Sequence, residues 1–255
     1  MLVDHLSFSG MKQLRESPEK FYRERVLWDR EDWFKDYFII GSCIHKYIEL
    51  YNNNKEPEDK IKFINDFLNK ARQKHRQQLE DGEKPLERDR GKWFYQCKAG
   101  INNFLYMDLE PSEQAEFEFE VYVDDSEIPF IGAIDAITEP SLIDRKTTKN
   151  FVKFNGRYSY NKLSKYWWQW LSYYYGYHKA TGEWKDNVKF IEIKKTKPRS
   201  TNKIRIVTFE YSQEDIELFE REFHKSILKI KAMEWEWLIL RSFEDADPHY
   251  TEEEL

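Results

Sequence analysis

The chain of 255 residues contains two cysteines, Cys43 and Cys97. They stand far apart and form no Cys-x-x-Cys pair. That excludes a disulfide framework, a cysteine zinc site and an iron–sulfur cluster as the basis of the fold. Long apolar runs are missing too. No segment approaches the length that spans a bilayer, and the first residues carry no signal-peptide pattern, so a soluble, intracellular protein is expected. There is no excess of positive charge either, the formal net charge being −6. A protein that coats nucleic acid through general basic stickiness is therefore disfavoured. The charge is unevenly placed, however: 146–165 and 185–205 are basic, while residues from 210 onward are acidic. A basic middle on an acidic chain fits a local channel for a polyanion, although ordinary solvated faces would give the same pattern.

Aromatic residues are abundant, at 17% of the chain, and much of the excess falls between 158 and 177. The length suffices for one large domain with a sizeable core. The chain reads as such a domain, with a mainly helical part (1–110), a sheet core (111–210), and a C-terminal helix with an acidic tail (211–255). Leu6-Ser7-Phe8-Ser9-Gly10 leads into a helix that Ser7 or Ser9 can cap, and Ser17-Pro18 breaks it. A second helix runs from Phe38 to about Asn52, with Ile40, Ile44, Tyr47, Ile48 and Tyr51 at helical spacing. Helices are also expected over 58–80 and 91–107. Glu116 to Val123 alternates as a half-buried strand, which puts Glu116, Glu118 and Glu120 on one face. Ser164 is placed to cap a nearly solid aromatic helix over 165–179. Strands follow at 188–193 and 203–210, as an edge hairpin joined by a basic turn. Ser212 then caps a last helix to about Arg241, with a loose tail from Ser242.

The stretch that organises the rest is 130–149. Ile131, Ala133, Ile134, Ala136 and Ile137 form an apolar run of strand length, interrupted by Gly132 and Asp135. Glu139-Pro140-Ser141 supplies a turn, and Leu142-Ile143 begins a second strand, so the stretch is a hairpin. Asp135 and Asp144 occupy positions where solvent is not expected. Two carboxylates on adjoining buried strands repel and cost desolvation energy unless something positive neutralises them. Hard carboxylate oxygens suit Mg²⁺ or Mn²⁺. Lys146 projects from the same strand face as Asp144, two residues away. A cross-strand salt bridge would explain Asp-x-Lys by itself; Asp135 inside the apolar run favours a metal site suited to phosphodiester hydrolysis. His45, beside an apolar helical stripe, is ordinarily a core residue, but near such a site it becomes a candidate imidazole ligand. Glu120 could add a ligand or a base. Gln169 and Tyr173, four apart on one helix face, can each hydrogen-bond a phosphate or a base.

Taken together, these positions resemble the PD-(D/E)XK nuclease superfamily, in its RecB/Cas4-like exonuclease branch. Ser17-Pro18-Glu19-Lys20-Phe21-Tyr22 is similar to its N-terminal helix motif, and Gly41-Ser42-Cys43-Ile44-His45 to its ligand-bearing helix. Glu120 has the position of the branch's strand glutamate. Gly132-Ala133-Ile134-Asp135 matches Gly-x-x-Asp, Asp144-Arg145-Lys146 matches Asp/Glu-x-Lys, and Gln169 to Tyr173 matches Gln-x-x-x-Tyr. The resemblance spans residues 6–177. It implies an α/β fold, a restriction-endonuclease-like core with a central mixed β-sheet flanked by helices and an N-terminal helical region.

The activity implied is that of a divalent-metal-dependent DNA exonuclease acting on single-stranded or duplex ends in recombination, replication or repair. It would work in the cytoplasm of a bacterial or phage-infected cell, or in an organelle, with a recombination or single-strand-binding protein as a possible partner. Asp135, Asp144, His45 and the backbone carbonyl of Arg145 would hold the ion, with Glu120 near it. Lys146 would orient the attacking water, Gln169 and Tyr173 would position the strand, and Lys149, Lys153, Arg157 and Lys165 would contact phosphates. Members with an iron–sulfur staple carry a cysteine where this chain has Ser17, so no cluster is expected. A structure-selective endonuclease or nickase of the same superfamily, and a non-catalytic nucleic-acid-binding protein on this fold, are the rival readings.

Overall fold

A computed structural model of the chain describes residues 3–27, 36–78, 90–106, 114–124, 126–149, 151, 160–196 and 203–246; for residues 36, 75, 90, 160–168, 235 and 237–246 it describes the backbone alone. The first element is a two-residue strand, β1 (Leu6–Ser7), which passes directly into helix α1 (Phe8–Glu16). Ser7 keeps an extended backbone, and its hydroxyl oxygen accepts the Gly10 N–H at 3.3 Å. That satisfies one of the donors a helix start leaves unpaired. Pro18 opens α2 (Pro18–Phe21), where its missing N–H costs nothing, and a π-helical turn continues to Val26. Three helices follow: α3 (Asp36–Asn52), α4 (Lys60–Gln78) and α5 (Arg90–Leu105). Their apolar stripes meet in one cluster that includes Ile40, Ile44 and Tyr47 of α3, Ile64 of α4, and Trp93 and Ile101 of α5. Helix α3 starts two residues earlier than Phe38. Cys43 and Cys97, distant in sequence, come together in this cluster as buried free thiols. The adjacent Cys97 thiol, together with burial, pushes the Cys43 pKa up, which keeps it an unreactive thiol.

The second half builds the sheet, with strands β2 (Gln114–Val121), β3 (Phe130–Ile137) and β4 (Ser141–Thr148), helix α6 (Tyr160–Thr181), strands β5 (Asn187–Lys194) and β6 (Ile204–Phe209), and helix α7 (Gln213–Ala246). The strand order is β1-β3-β4-β5-β6, with β2 on β3 as well. β1 runs parallel to β3 and β4 parallel to β5; the other pairs are antiparallel, so the sheet is mixed. Strand β3 pairs with β2 along its whole length. Its other edge is shared: β1 takes Phe130 and Ile131, and β4 takes Ala136 and Ile137. The β3–β4 ladder therefore stops at Ala136↔Ile143. The next rung would set Asp135 against Asp144. The strands part where two carboxylates would otherwise be forced together.

Both faces of the sheet are covered. Ile143, Ile191 and Ile193 pack against α3 and α5, while Ile134, Leu142, Val188 and Phe190 pack against α6 and α7. Among the described side chains of α6 the aromatic rings are core: Trp170, Tyr173, Tyr174, Tyr175 and Tyr177 are all buried. Helix α6 is pressed close onto the sheet by two glycines. A Cβ on Gly132 of β3 or on Gly176 of α6 would overlap the ring of Phe119, which lies against both. Ser164 is not a cap, because α6 already runs through it from Tyr160. Helix α7 does begin as expected. Ser212 Oγ accepts the Asp215 N–H at 3.3 Å, and Asp215 Oδ2 accepts the Ser212 N–H at 2.9 Å, a reciprocal cap. It continues past Arg241 to Ala246, so 242–246 is helical, and the rest of the expected loose tail, 247–255, lies outside the described residues. Among the described residues no helix is long and apolar enough to cross a membrane.

Candidate active site

The parting of β3 and β4 leaves backbone groups without ladder partners, and side chains replace them. The Arg145 N–H donates to Asp135 Oδ2 at 2.6 Å, and Arg145 Nη1 donates to the Asp135 carbonyl at 3.0 Å. Asp135 is thus clamped to β4 by the residue that follows Asp144. Asp144 itself is 3% exposed. Tyr173 of α6 donates its hydroxyl to Asp144 Oδ1 at 2.7 Å, and Gln169 Nε2 donates to the Tyr173 oxygen at 2.7 Å. Lys146 Nζ donates to Oδ1 at 3.0 Å. The same ammonium lies 2.8 Å from Oδ2 but without hydrogen-bond alignment, so this buried carboxylate oxygen accepts no hydrogen bond among the described residues. Burial raises the Asp144 pKa, the Asp135 charge adds to that, and Lys146 and Tyr173 oppose it. Burial also raises the Tyr173 pKa and lowers that of Arg145.

His45 reaches the site from α3. Gly41, one turn earlier, lets that helix lie close to β4: a Cβ there would sit 3.3 Å from Thr147 Oγ1. His45 Nδ1 is 3.7 Å from Asp135 Oδ1, too long for a hydrogen bond but near enough for an ion pair when the ring is protonated. His45, Asp135, Arg145, Lys146 and Thr147 line a single cavity of about 1010 Å³ that opens between the sheet and the helices α3 and α4. Residues expected to act together from widely separated segments therefore meet.

The strand glutamate is a correction. Glu120 pairs with Ile131, four residues along β3 from Asp135, and does not line the cavity. Glu116 does line it. The rung between Ala115↔Ala136 and Phe117↔Ile134 would set Glu116 opposite Asp135. Its backbone turns left-handed there, with φ of 58°, an uncommon and strained conformation for a residue with a Cβ. Alternation in the sequence put all three glutamates on one face; only the register says which of them stands at the site. Lys149 is exposed just beyond the end of β4. Lys153, Arg157 and the side chain of Lys165 lie outside the described residues.

The donor set suits a hard divalent ion in kind: two carboxylates, an imidazole, and one buried carboxylate oxygen with no hydrogen bond. Its arrangement is not a closed cage. Among the described residues no three His, Cys, Asp or Glu side chains converge on one point. An ion would therefore complete its shell from backbone oxygen, water or substrate, as Mg²⁺ commonly does.

The sequence profile of the PD-(D/E)XK nuclease superfamily matches residues 5–237. The chain belongs to that superfamily. Its fold agrees: a provisionally named exonuclease from Eubacterium rectale superposes with a TM-score of 0.54 at 14% identity, covering 90% of this chain and 82% of that one. An alkaline exonuclease from Laribacter hongkongensis is a more distant likeness, with a TM-score of 0.34 at 10% identity over 81% of this chain and 98% of that one. No curated protein sequence matches this one. The matched segment includes Asp135, Asp144 and Lys146, and a nuclease fold implies a nucleic acid as the substrate class.

Proposed function

We propose that this PD-(D/E)XK protein is a divalent-metal-dependent DNA exonuclease of the RecB/Cas4-like kind. It would hydrolyse phosphodiester bonds at single-stranded ends in recombination, replication or repair. The observation that carries this reading is Asp144 Oδ2: a buried carboxylate oxygen without a hydrogen bond, beside a lysine and opposite a second carboxylate where the strands part. Lys146 supplies one positive charge beside it, and a divalent cation would offset the remaining negative charge of the Asp144 and Asp135 pair. The name of the Eubacterium rectale relative accords with the exonuclease reading.

Asp135, Asp144, His45 and the Arg145 carbonyl would hold the ion, and the acid beside them is Glu116 rather than Glu120. When bound, a divalent ion polarises a phosphoryl oxygen and lowers the pKa of a coordinated water. The chain's own groups do the rest. The Lys146 ammonium, held by Asp144, is placed to orient an attacking water and to offset charge growing on the phosphate. The Tyr173 hydroxyl proton is engaged by Asp144, and Gln169 fixes the tyrosine. These two act as positioning residues for the carboxylate rather than as direct strand contacts. Lys149, Lys153, Arg157 and Lys165 remain the proposed phosphate contacts, adding affinity without sequence preference.

The test is digestion of linear single-stranded, linear duplex and circular DNA with Mg²⁺ or Mn²⁺, with and without chelator, beside Lys146→Ala. Loss of linear substrates alone, abolished by chelator and by the substitution, is the expected result. Cut circles would make the protein an endonuclease. Full metal-dependent cleavage by Lys146→Ala would sink the assigned role of the lysine.

A further inference from the structure

The cavity lined by Asp135, Glu116 and Lys146 extends well beyond them. At its far side it is lined by Tyr37 and Phe38 at the start of α3 and by Phe63 and Phe67 of α4. Phe63 and Phe67 are partly buried against the helical core, but Tyr37 and Phe38 are 53% and 56% exposed. Their ring centroids lie 4.5 Å apart. Two large neighbouring rings left open to water within a catalytic cavity are not explained by core packing, and such exposed apolar surface marks a binding site.

Charge narrows what binds there. On the catalytic side, Arg145 and Lys146 are matched by Glu116 and Asp135; on the helical side, Lys46 and Lys70 are matched by Glu49 and Asp66. Lys46 is moreover held by Glu49 at 2.6 Å. Among the described residues the cavity is thus balanced in formal charge, and is a poor track for phosphates by electrostatics alone. A ligand that must continue into a phosphodiester-cleaving centre, yet meets aromatic rings rather than net positive charge, has to offer bases. In a duplex the base faces are already stacked on one another. Only an unpaired strand can present them to side-chain rings.

We propose that Tyr37 and Phe38 form a base-stacking subsite for an unpaired DNA strand entering the active site, and so discriminate single strands from duplex. This deepens the nuclease reading and rests on it for the identity of the ligand. Stacking one base on one ring corresponds to roughly 5- to 150-fold in affinity.

The experiment measures binding and cleavage separately. Binding of a labelled oligodeoxynucleotide and of its blunt duplex is followed by fluorescence anisotropy in full-length Asp144→Asn protein, with and without Tyr37→Ala/Phe38→Ala. The expected result is a weakening of single-strand binding by about tenfold or more, with duplex binding changed by less than about twofold. Tyr37→Phe/Phe38→Trp should restore it, because the rings and not their polar atoms are used. In the otherwise unsubstituted enzyme the double alanine variant should raise KM for single strands far more than it lowers kcat, with an unchanged melting temperature. Equal losses on both DNAs, no loss, or a fallen melting temperature would overturn the subsite. The nuclease reading fails separately: a protein that binds single strands through the two rings but cuts no DNA keeps the subsite and loses the activity.

Discussion

At the scale of single residues, Asp144 is where stability and activity oppose each other. Burial raises its pKa above the ordinary carboxylate value of about 3.9. A carboxyl whose folded-state pKa is raised contributes stability below its unfolded-state pKa, and that contribution is lost as pH climbs through the folded-state value. The fold therefore disfavours the charged form of this buried carboxyl. Asp144→Asn should abolish cleavage and yet raise the melting temperature of the metal-free protein by several degrees near pH 8. The gain should shrink toward pH 4, and a scan of melting temperature against pH checks it; a variant less stable than the parent at pH 8 would contradict the assignment. This position was legible in the sequence because charges inside an apolar strand are rare and need a reason. That Glu116 rather than Glu120 lines the cavity was not legible. Period-two alternation cannot distinguish Glu116 from Glu120, since both share a face, and the choice is made by hydrogen bonds to a partner strand whose alignment the local sequence does not encode. Tyr37 and Phe38 escaped for a similar reason: nothing local separates an exposed aromatic from a buried one at a helix start.

At the scale of elements, the site depends on how closely α6 approaches the sheet. Gly176 and Gly132 hold the Phe119 ring between them, and three residues before Gly176 the same helix delivers Tyr173 to Asp144. In an exposed helix, replacing glycine by alanine gains about 1 kcal/mol of helix propensity. Here the added methyl must push α6 away from Phe119, and overpacking costs about 1–3 kcal/mol. Gly176→Ala should be net destabilising and should lower kcat by displacing Tyr173. Adding Phe119→Leu should recover part of both, a coupling that a double-mutant cycle measures. If Gly176→Ala stabilised the protein without loss of activity, the close approach would not be what positions Tyr173. The Gly-x-x-Asp spacing was visible in the sequence, but the role of its glycine was not, because the ring that requires it comes from another strand. Helix ends show the same limit. Ser164 has a cap's chemistry, yet no breaker stands between it and Tyr160, so the helix simply begins earlier. Helix α7 outruns Arg241 because no proline or glycine intervenes before Pro248.

At the scale of the whole molecule, the site is assembled from every layer: His45 from the helical layer, Asp135 and Asp144 from the sheet, and Tyr173 from the helix on the opposite face. The sheet core and its hairpin could be read from patterning, since strand period and turn residues are local. Which helices close over Asp135 could not, because the cavity exists only once α3 and α4 dock. A ligand joining donors from separate layers binds the folded chain and not the unfolded one, so it stabilises the assembly as a whole. At about 100 times its dissociation constant that linkage is worth about 2.7 kcal/mol, and for a chain of this size each kcal/mol moves the melting temperature by about 2–4 °C. Mn²⁺ or Mg²⁺ in such excess should therefore raise the melting temperature by about 5–10 °C. The shift should vanish in Asp144→Asn and fall in His45→Ala. An equal shift in all three proteins would place the ion elsewhere, whereas a shift lost with Asp144 and kept without His45 would leave the histidine as a partner of Asp135 and not a ligand.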